Sequence, residues 1–326
     1  MVAMETVTRR GFLGTTATLA AAGGVGSATV GMAAAAEGET PAAEPTKAKG
    51  MRIGMLTSPM ADEPLEKVAD FAKQAGIACL EVAVDPGSVQ LDPVTLDAGR
   101  AESVKKLVDD RDLEISALAN YDNMTEPGKT EERQAFVKKM IDAAVLLGVP
   151  TICLQTGMPV PNMNKINTIK KVVPKVFGPL LAYAQERQVR IAVENYFETC
   201  LQGIDTFECL FETVQDANFG LNYDPSHLYH QQCNHLLPVT MFAKRIFHTH
   251  AKDTLVDVVE RTRVGVYARG WWRYVIPGFG NINWGEYIGH LRMNGYDGVL
   301  SIEHEDSTFN RKQGFIHGAR YLSQFC

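Results

Sequence analysis

The sequence lacks any CxxC pair, and its six cysteines (Cys79, Cys153, Cys200, Cys209, Cys233 and Cys326) are scattered. That spacing excludes a zinc cluster of the finger or ribbon type. Mostly free thiols are expected, with Cys79 and Cys153 inside strands, where buried cysteines are common. An excess of positive charge is also missing. The 326 residues carry 32 Lys and Arg against 38 Asp and Glu, a net charge of −6. An acidic chain is a poor match to a phosphate backbone, which argues against nucleic acid as a partner. Beyond the N-terminus there is no run of 18 or more apolar residues, so no ordinary membrane span is expected in the body of the chain. Finally, the first strand-like run leads into Thr57-Ser58-Pro59-Met60, without GxGxxG or GxxxxGK. Doubly wound nucleotide-binding sheets usually carry such a loop there.

What the N-terminus does have is a targeting pattern. Thr8-Arg9-Arg10-Gly11-Phe12-Leu13 is followed by a weakly apolar Ala/Gly-rich run that ends in Ala33-Ala34-Ala35-Ala36. An arginine pair, an apolar run and small residues for a peptidase, in that order, predict a twin-arginine signal peptide over 1–36. Export to the periplasm or another extracytoplasmic space follows, with no stable membrane insertion after processing. Residues 37–50 are polar and rich in Pro, Ala and Lys, and are expected to form a flexible linker.

From Met51 the chain alternates short β-rich runs with longer helical patterns. Strands are expected over Arg52–Leu56, Cys79–Val84, Glu114–Ala119, Thr151–Gln155, Arg190–Glu194, Gly220–Tyr223, Ile246–His250 and Val299–Glu303. Between them, Leu65, Val68, Ala69, Phe71 and Ala72 repeat at three and four residues, as do Phe136, Met140, Ala143, Ala144 and Leu147, each marking one helix face. Gly76, Gly148 and Gly295 stand where helices should stop. Eight βα units in sequence predict an α/β fold, a single-domain (β/α)8 TIM barrel over 51–326. Such a barrel needs roughly 250 residues.

Barrel active sites form at the C-terminal strand ends. There the last four strands deliver Glu194, Asp224, His250 and Glu303. Charged groups at the end of an apolar strand are costly unless paired or metal-bound. Singly, each has a plain reading: a solvated glutamate, an Asp-Pro turn, a packed histidine. Jointly, three oxygens and one nitrogen suit one divalent ion, Mn²⁺ first, with Mg²⁺, Co²⁺ or Zn²⁺ as alternatives. His248 alternates in phase with His250 and should face the same way.

Four segments then carry a specific resemblance: Asn222-Tyr223-Asp224-Pro225-Ser226-His227, His248-Thr249-His250-Ala251-Lys252-Asp253, Pro277 to Trp284, and Gly298 to Glu305. In this order they resemble the signature segments of the xylose isomerase-like TIM barrels of the sugar phosphate isomerase/epimerase superfamily, which includes ketose 3-epimerases and inosose dehydratases. The resemblance implies that Glu194, Asp224, His250 and Glu303 are metal ligands, that His227 touches substrate, and that Lys252 is the lysine found after the metal histidine in inosose-dehydratase-like members. His248 is a further substrate contact. The chain departs from compact ketose epimerases by an insert over 254–276. Its Arg269 and Trp271 are candidates for a sugar platform; a surface lid or an oligomer contact is the competing reading.

This ligand set implies proton transfer next to a polarised carbonyl through an enediolate, with Glu194 and Glu303 as acid and base. The expected function is a sugar isomerase or epimerase acting on a small-molecule keto- or aldo-sugar. The alternative is a lyase or dehydratase on a 3-keto-glycoside, keto-sugar or inosose. A sugar-binding protein without activity and a DNA-repair nuclease are rivals; four retained ligands and the acidic balance weigh against them. A homo-oligomer is left open. Glu81, Asn120, Tyr121 and Gln155 lie near other strand ends and are candidates to line the pocket, with ordinary polar loop residues as the competing reading; Glu305 and Asp306 are expected in a solvated acidic turn, with support of the ligands from behind as the alternative.

Overall fold

Short apolar runs bounded by turn residues become the barrel staves. The strands are β1 (Arg52–Leu56), β2 (Cys79–Ala83), β3 (Glu114–Asn120), β4 (Thr151–Gln155), β5 (Arg190–Glu194), β6 (Phe219–Tyr223), β7 (Ile246–Ala251), β8 (Asp253–Val256), β9 (Trp272–Val275) and β10 (Val299–Ile302). The computed structural model describes residues 50–326. The expected signal peptide, and the linker up to residue 49, lie outside the described residues.

Eight parallel strands close a barrel in the order β1-β10-β7-β6-β5-β4-β3-β2. The expected eight staves are all present, with ends shifted by a residue or so. β8 and β9 stand apart as an antiparallel ribbon, pairing Asp253 with Val275 and Val256 with Trp272. The insert over 254–276 is thus this ribbon, capped by a helix over Val258–Val264. No helix among the described residues is long and apolar enough to cross a membrane.

The main core lies between barrel and helices. Helix Leu65–Gln74 buries Leu65, Val68, Ala69, Phe71 and Ala72, the face its spacing marks. In helix Thr130–Leu147, Val137 and Ile141 join Met140, Ala143, Ala144 and Leu147 in the core, while Phe136 stays half-buried at the edge of the stripe. Gly76, Gly148 and Gly295 have φ of +74°, +73° and +81°, the left-handed geometry that ends a helix most readily at glycine. Inside the barrel the filling is different. Leu56, Ala117, Ala119, Cys153 and Ala192 form a small apolar cluster, and polar side chains fill the space above it. All six cysteines are free, Cys79 and Cys153 buried in their strands.

Two sequence segments that are far apart in the chain prove to be one structural unit. The buried Asp253 carboxylate accepts hydrogen bonds from the backbone N–H groups of Gly278 (3.0 Å), Gly280 (3.2 Å) and Ile282 (3.0 Å) and from Trp284 Nε1 (2.9 Å). The segment Pro277 to Trp284 therefore wraps around the residue three places after His250. A Cβ at Gly280 would sit 2.3 Å from Asp253 Oδ1. Gly280→Ala is expected to destabilise the fold by about 1–3 kcal/mol, the usual range for forcing atoms into a packed site. A denaturation midpoint equal to that of the natural chain would contradict this account of the glycine.

Candidate metal centre

Strand register explains why four distant residues meet. Glu194 ends β5, Asp224 follows β6, His250 is the second-to-last residue of β7, and Glu303 follows β10; these four strands are neighbours in the ring. One ligand atom from each lies within 4.8 Å of all the others. His250 Nδ1 is at the centre, 2.9 Å from Glu303 Oε2, 3.1 Å from Glu194 Oε1 and 3.9 Å from Asp224 Oδ2. Asp224 is fixed by its Oδ1, which accepts from Ser226 N at 2.7 Å. Asn195 grips the Asp224 backbone at both its N–H and its carbonyl.

The remaining Asp224 oxygen, Oδ2, is buried and makes no hydrogen bond. Lys252 Nζ lies 3.3 Å from it, and His227 Nε2 3.4 Å. A buried carboxylate oxygen without a hydrogen bond is costly unless another partner binds it. The carboxylates of Glu81, Glu194, Asp224 and Glu303 outnumber the cations Lys252 and His250 that touch them. A divalent cation fits both the unsatisfied oxygen and the negative excess.

The far side of the His250 ring is built for the same purpose. Nε2 faces Glu81 at 3.2 Å, the Tyr121 hydroxyl at 3.1 Å and Asn222 Nδ2 at 3.0 Å. Glu81 is itself held by Ser301 Oγ (2.7 Å) and by Tyr121. A carboxylate on the outer nitrogen fixes the ring's orientation and leaves the inner nitrogen free to ligate. Without a metal, burial works against a charged His250, but Glu81, Glu303 and Glu194 together raise it well above the usual histidine range. Burial and the Glu303 charge push Glu194 up, yet His250 and a hydrogen bond from His227 bring it down to about 2. Against their burial, Glu81 is held at about 2 by His250 and His248, and Glu303 well below the carboxylate range by Lys252 and His250.

A cavity of about 240 Å³ opens above these groups, lined by Gln155, Glu194, His227, Lys252, Tyr274 and Glu303, with Tyr196 and Glu305 at its sides. Lys252 is fully buried, its Nζ 2.7 Å from Glu303 Oε2, 3.1 Å from Glu305 Oε1 and 3.2 Å from His227 Nε2. His227 turns Nε2 inward because Tyr274, on β9, holds its Nδ1 at 2.6 Å.

Three expected substrate contacts lie away from the inner cavity. His248 does not line the cavity. Two residues back along β7 places it about 7 Å below His250, where Ser116 Oγ (3.1 Å) and Asn222 Oδ1 (3.0 Å) occupy both nitrogens. Burial lowers it to about 4. Arg269 and Trp271 lie on a second cavity further out, and the Trp271 indole is buried with Nε1 donating to the Ala268 carbonyl at 2.9 Å. From the insert it is Tyr274 that reaches the inner cavity; the alternation Trp272-x-Tyr274 was its only trace in the sequence. Asp306 is not solvated either. The β9 segment covers it, and Arg273 Nη1 (2.9 Å) and Ile276 N (3.3 Å) bind its carboxylate. Glu305 is half-exposed and pairs with Lys252. Gln155 donates to Glu194 at 3.4 Å, whereas Asn120 turns away to Val84 and Asp85.

Comparison with known proteins agrees with this fold. Residues 69–325 match the model of the xylose isomerase-like TIM barrel, and the chain belongs to that family. YfiH of Bacillus subtilis, an uncharacterised protein, is 25% identical over 310 residues, covering 84% of this chain and 99% of its own. The inosose dehydratase of Clostridium tetani is 23% identical over 237 residues, 68% of this chain and 80% of its own. Among solved structures, an IOLI protein with a bound zinc superposes with a TM-score of 0.67 at 19% identity, covering 85% of this chain and 99% of that one. The 3-keto-D-glucoside 4-epimerase of E. coli gives 0.62 at 15% identity, with 84% and 99% covered. In this chain, the group Glu194, Asp224, His250 and Glu303 is arranged so that it could hold a metal ion.

Metal uptake has a pH signature. In the metal-free protein the inner nitrogen of His250 holds a proton, which an incoming cation displaces. Affinity for Mn²⁺ or Zn²⁺ is expected to rise with pH until His250 titrates, with close to one proton released per ion at neutral pH. Calorimetry in buffers of different ionisation enthalpy measures this. Binding of about one ion per chain without proton release would contradict the arrangement described for His250.

Proposed function

We propose that this protein is a divalent-metal-dependent sugar isomerase or epimerase that moves a proton next to a carbonyl. The observation that carries the reading is the ring of three carboxylates around His250 Nδ1, with one buried Asp224 oxygen unsatisfied at the mouth of a barrel. Glu194, Asp224, His250 and Glu303 would hold the ion, which supplies Lewis acidity to a keto oxygen and its neighbouring hydroxyl. Mn²⁺ is the ion we favour for this mixed oxygen and nitrogen set, with Mg²⁺, Co²⁺ or Zn²⁺ as alternatives.

Glu194 and Glu303 stand on strands separated by β6 and β7, one on each flank of the centre. One takes the proton from the carbon beside the carbonyl, and the other returns a proton to the opposite face. Return to the same carbon inverts it; return to the neighbouring carbon exchanges aldose and ketose. Gln155 orients Glu194 and Lys252 orients Glu303. His227, its other nitrogen tied to Tyr274, presents Nε2 to the substrate's hydroxyls.

One observation favours a second reading, elimination from a keto-sugar, keto-glycoside or inosose. Lys252 Nζ and His227 Nε2 lie 3.2 Å apart, the lysine bonded to Glu303 and the histidine 3.4 Å from Glu194. Two nitrogen groups there can hand a proton to a departing hydroxyl or alkoxide while a glutamate removes the α-proton. The relatives named inosose dehydratase have that chemistry in their name.

Glu194→Gln and Glu303→Gln are each expected to lower exchange of the substrate α-hydrogen with solvent by about 10²–10⁴, the usual worth of a positioned acid or base. Proton NMR in D₂O with a panel of keto-sugars and keto-glycosides reads the exchange, and also separates inverted or isomerised sugar from an eliminated product. Exchange at the natural rate in both variants would remove the two glutamates from the chemistry. We further propose that residues 1–36 direct the protein through the twin-arginine route to an extracytoplasmic space. A folded reporter fused to residues 1–40 should be exported, and should stay inside when Arg9 and Arg10 are both changed to Lys.

A further inference from the structure

The insert builds a second cavity of about 920 Å³ beside the first. Its inner wall is Phe197, His230 and Trp272, and Tyr267 and Arg269 stand on its rim. The two cavities share a boundary at three aromatic pairs. Tyr274 lines the inner cavity and Trp272 the outer, two residues apart on β9, with ring centroids 5.0 Å apart. Tyr196 and Phe197 divide in the same way, with centroids at 4.9 Å. His227 and His230, three residues apart, do so again, and Tyr274 touches both, at 2.6 Å and 3.5 Å. The indole of Trp272 lies flat on the His230 ring, centroids 3.8 Å apart and 7° from parallel. That stack gives the outer wall a rigid apolar surface, and Glu198, Gln232 and Arg269 set polar groups around it. Apolar faces beside a few hydrogen-bonding groups are what a pyranose ring needs, since its C–H faces are apolar and its rim is hydroxyl.

We propose that the outer cavity binds a second sugar ring, linked glycosidically to the ring held at the metal centre, so that the substrate is a glycoside of at least two rings. The inference rests on the carbohydrate reading of the inner site. The Trp272 and Tyr274 ring centroids lie 5.0 Å apart, similar to the step between neighbouring rings of a disaccharide. The outer cavity contains none of the metal ligands, so it adds affinity and selection for length, not chemistry.

The test is calorimetric binding of unoxidised sugars to the metal-loaded full chain: methyl β-glucoside, cellobiose, maltose and phenyl β-glucoside. At least one disaccharide should bind about ten-fold or more tightly than methyl β-glucoside. In the double variant Tyr267→Ala/Arg269→Ala, on an exposed rim, that advantage should fall to about two-fold or less. The proposal is overturned if neither disaccharide gains over methyl β-glucoside, if the gain survives the double variant, or if only phenyl β-glucoside gains. If methyl β-glucoside and every other sugar fail to bind, the carbohydrate reading of the inner site falls as well.

Discussion

A buried excess of negative charge around one histidine nitrogen is the constraint from which the rest of this molecule follows. Three carboxylates converge on His250 Nδ1, and such an arrangement repels itself unless cations compensate it. Lys252 supplies one charge from within the chain, and a proton on His250 supplies another while the metal is absent. The barrel has to be rigid to hold these groups together, and the network behind them shows how it is kept so. Glu81 reaches His250 from β2, on the other side of the barrel, and Ser301, Tyr121 and Asn222 complete its coordination by hydrogen bonds. The metal, where present, replaces a proton in a frame that is already built.

Much of this was legible in the sequence, for a definite physical reason. Parallel strands buried on both faces read as apolar runs, so an acid or histidine at the end of such a run stands out, and Glu194, Asp224, His250 and Glu303 each do. What one strand end cannot show is depth. His248 and His250 share a phase and differ only in layer, and the layer is set by the stagger of β7 against β6, where the register shifts between Leu221 and Asn222. The role of Glu81 depends on a partner 169 residues away, and no local pattern encodes that distance. The insert was visible as extra length, but its hairpin register, which brings Tyr274 rather than Trp271 to the site, follows from pairing Val256 with Trp272.

The same insert connects specificity to chemistry through one side chain. Tyr274 belongs to the ribbon, lines the cavity and fixes the orientation of the His227 ring. A change in the ribbon would therefore be felt at His227 and in the inner cavity without altering Glu194, Asp224, His250 or Glu303. Asp253 strengthens the link, because the loop that ends the ribbon is bonded to a carboxylate three residues from His250.

The placement of Glu81 has one more consequence. All four candidate ligands come from the second half of the chain, yet the histidine among them is steadied by a residue of the second strand. An amino-terminal fragment would lack all four candidate donors, and a carboxy-terminal fragment would keep them and the Asn222 contact but lose the Glu81 and Tyr121 contacts to the imidazole. The complete set of contacts on this histidine thus exists only in the closed ring, with β1 paired to β10, so a metal bound with the proposed geometry would report a chain whose two halves have come together.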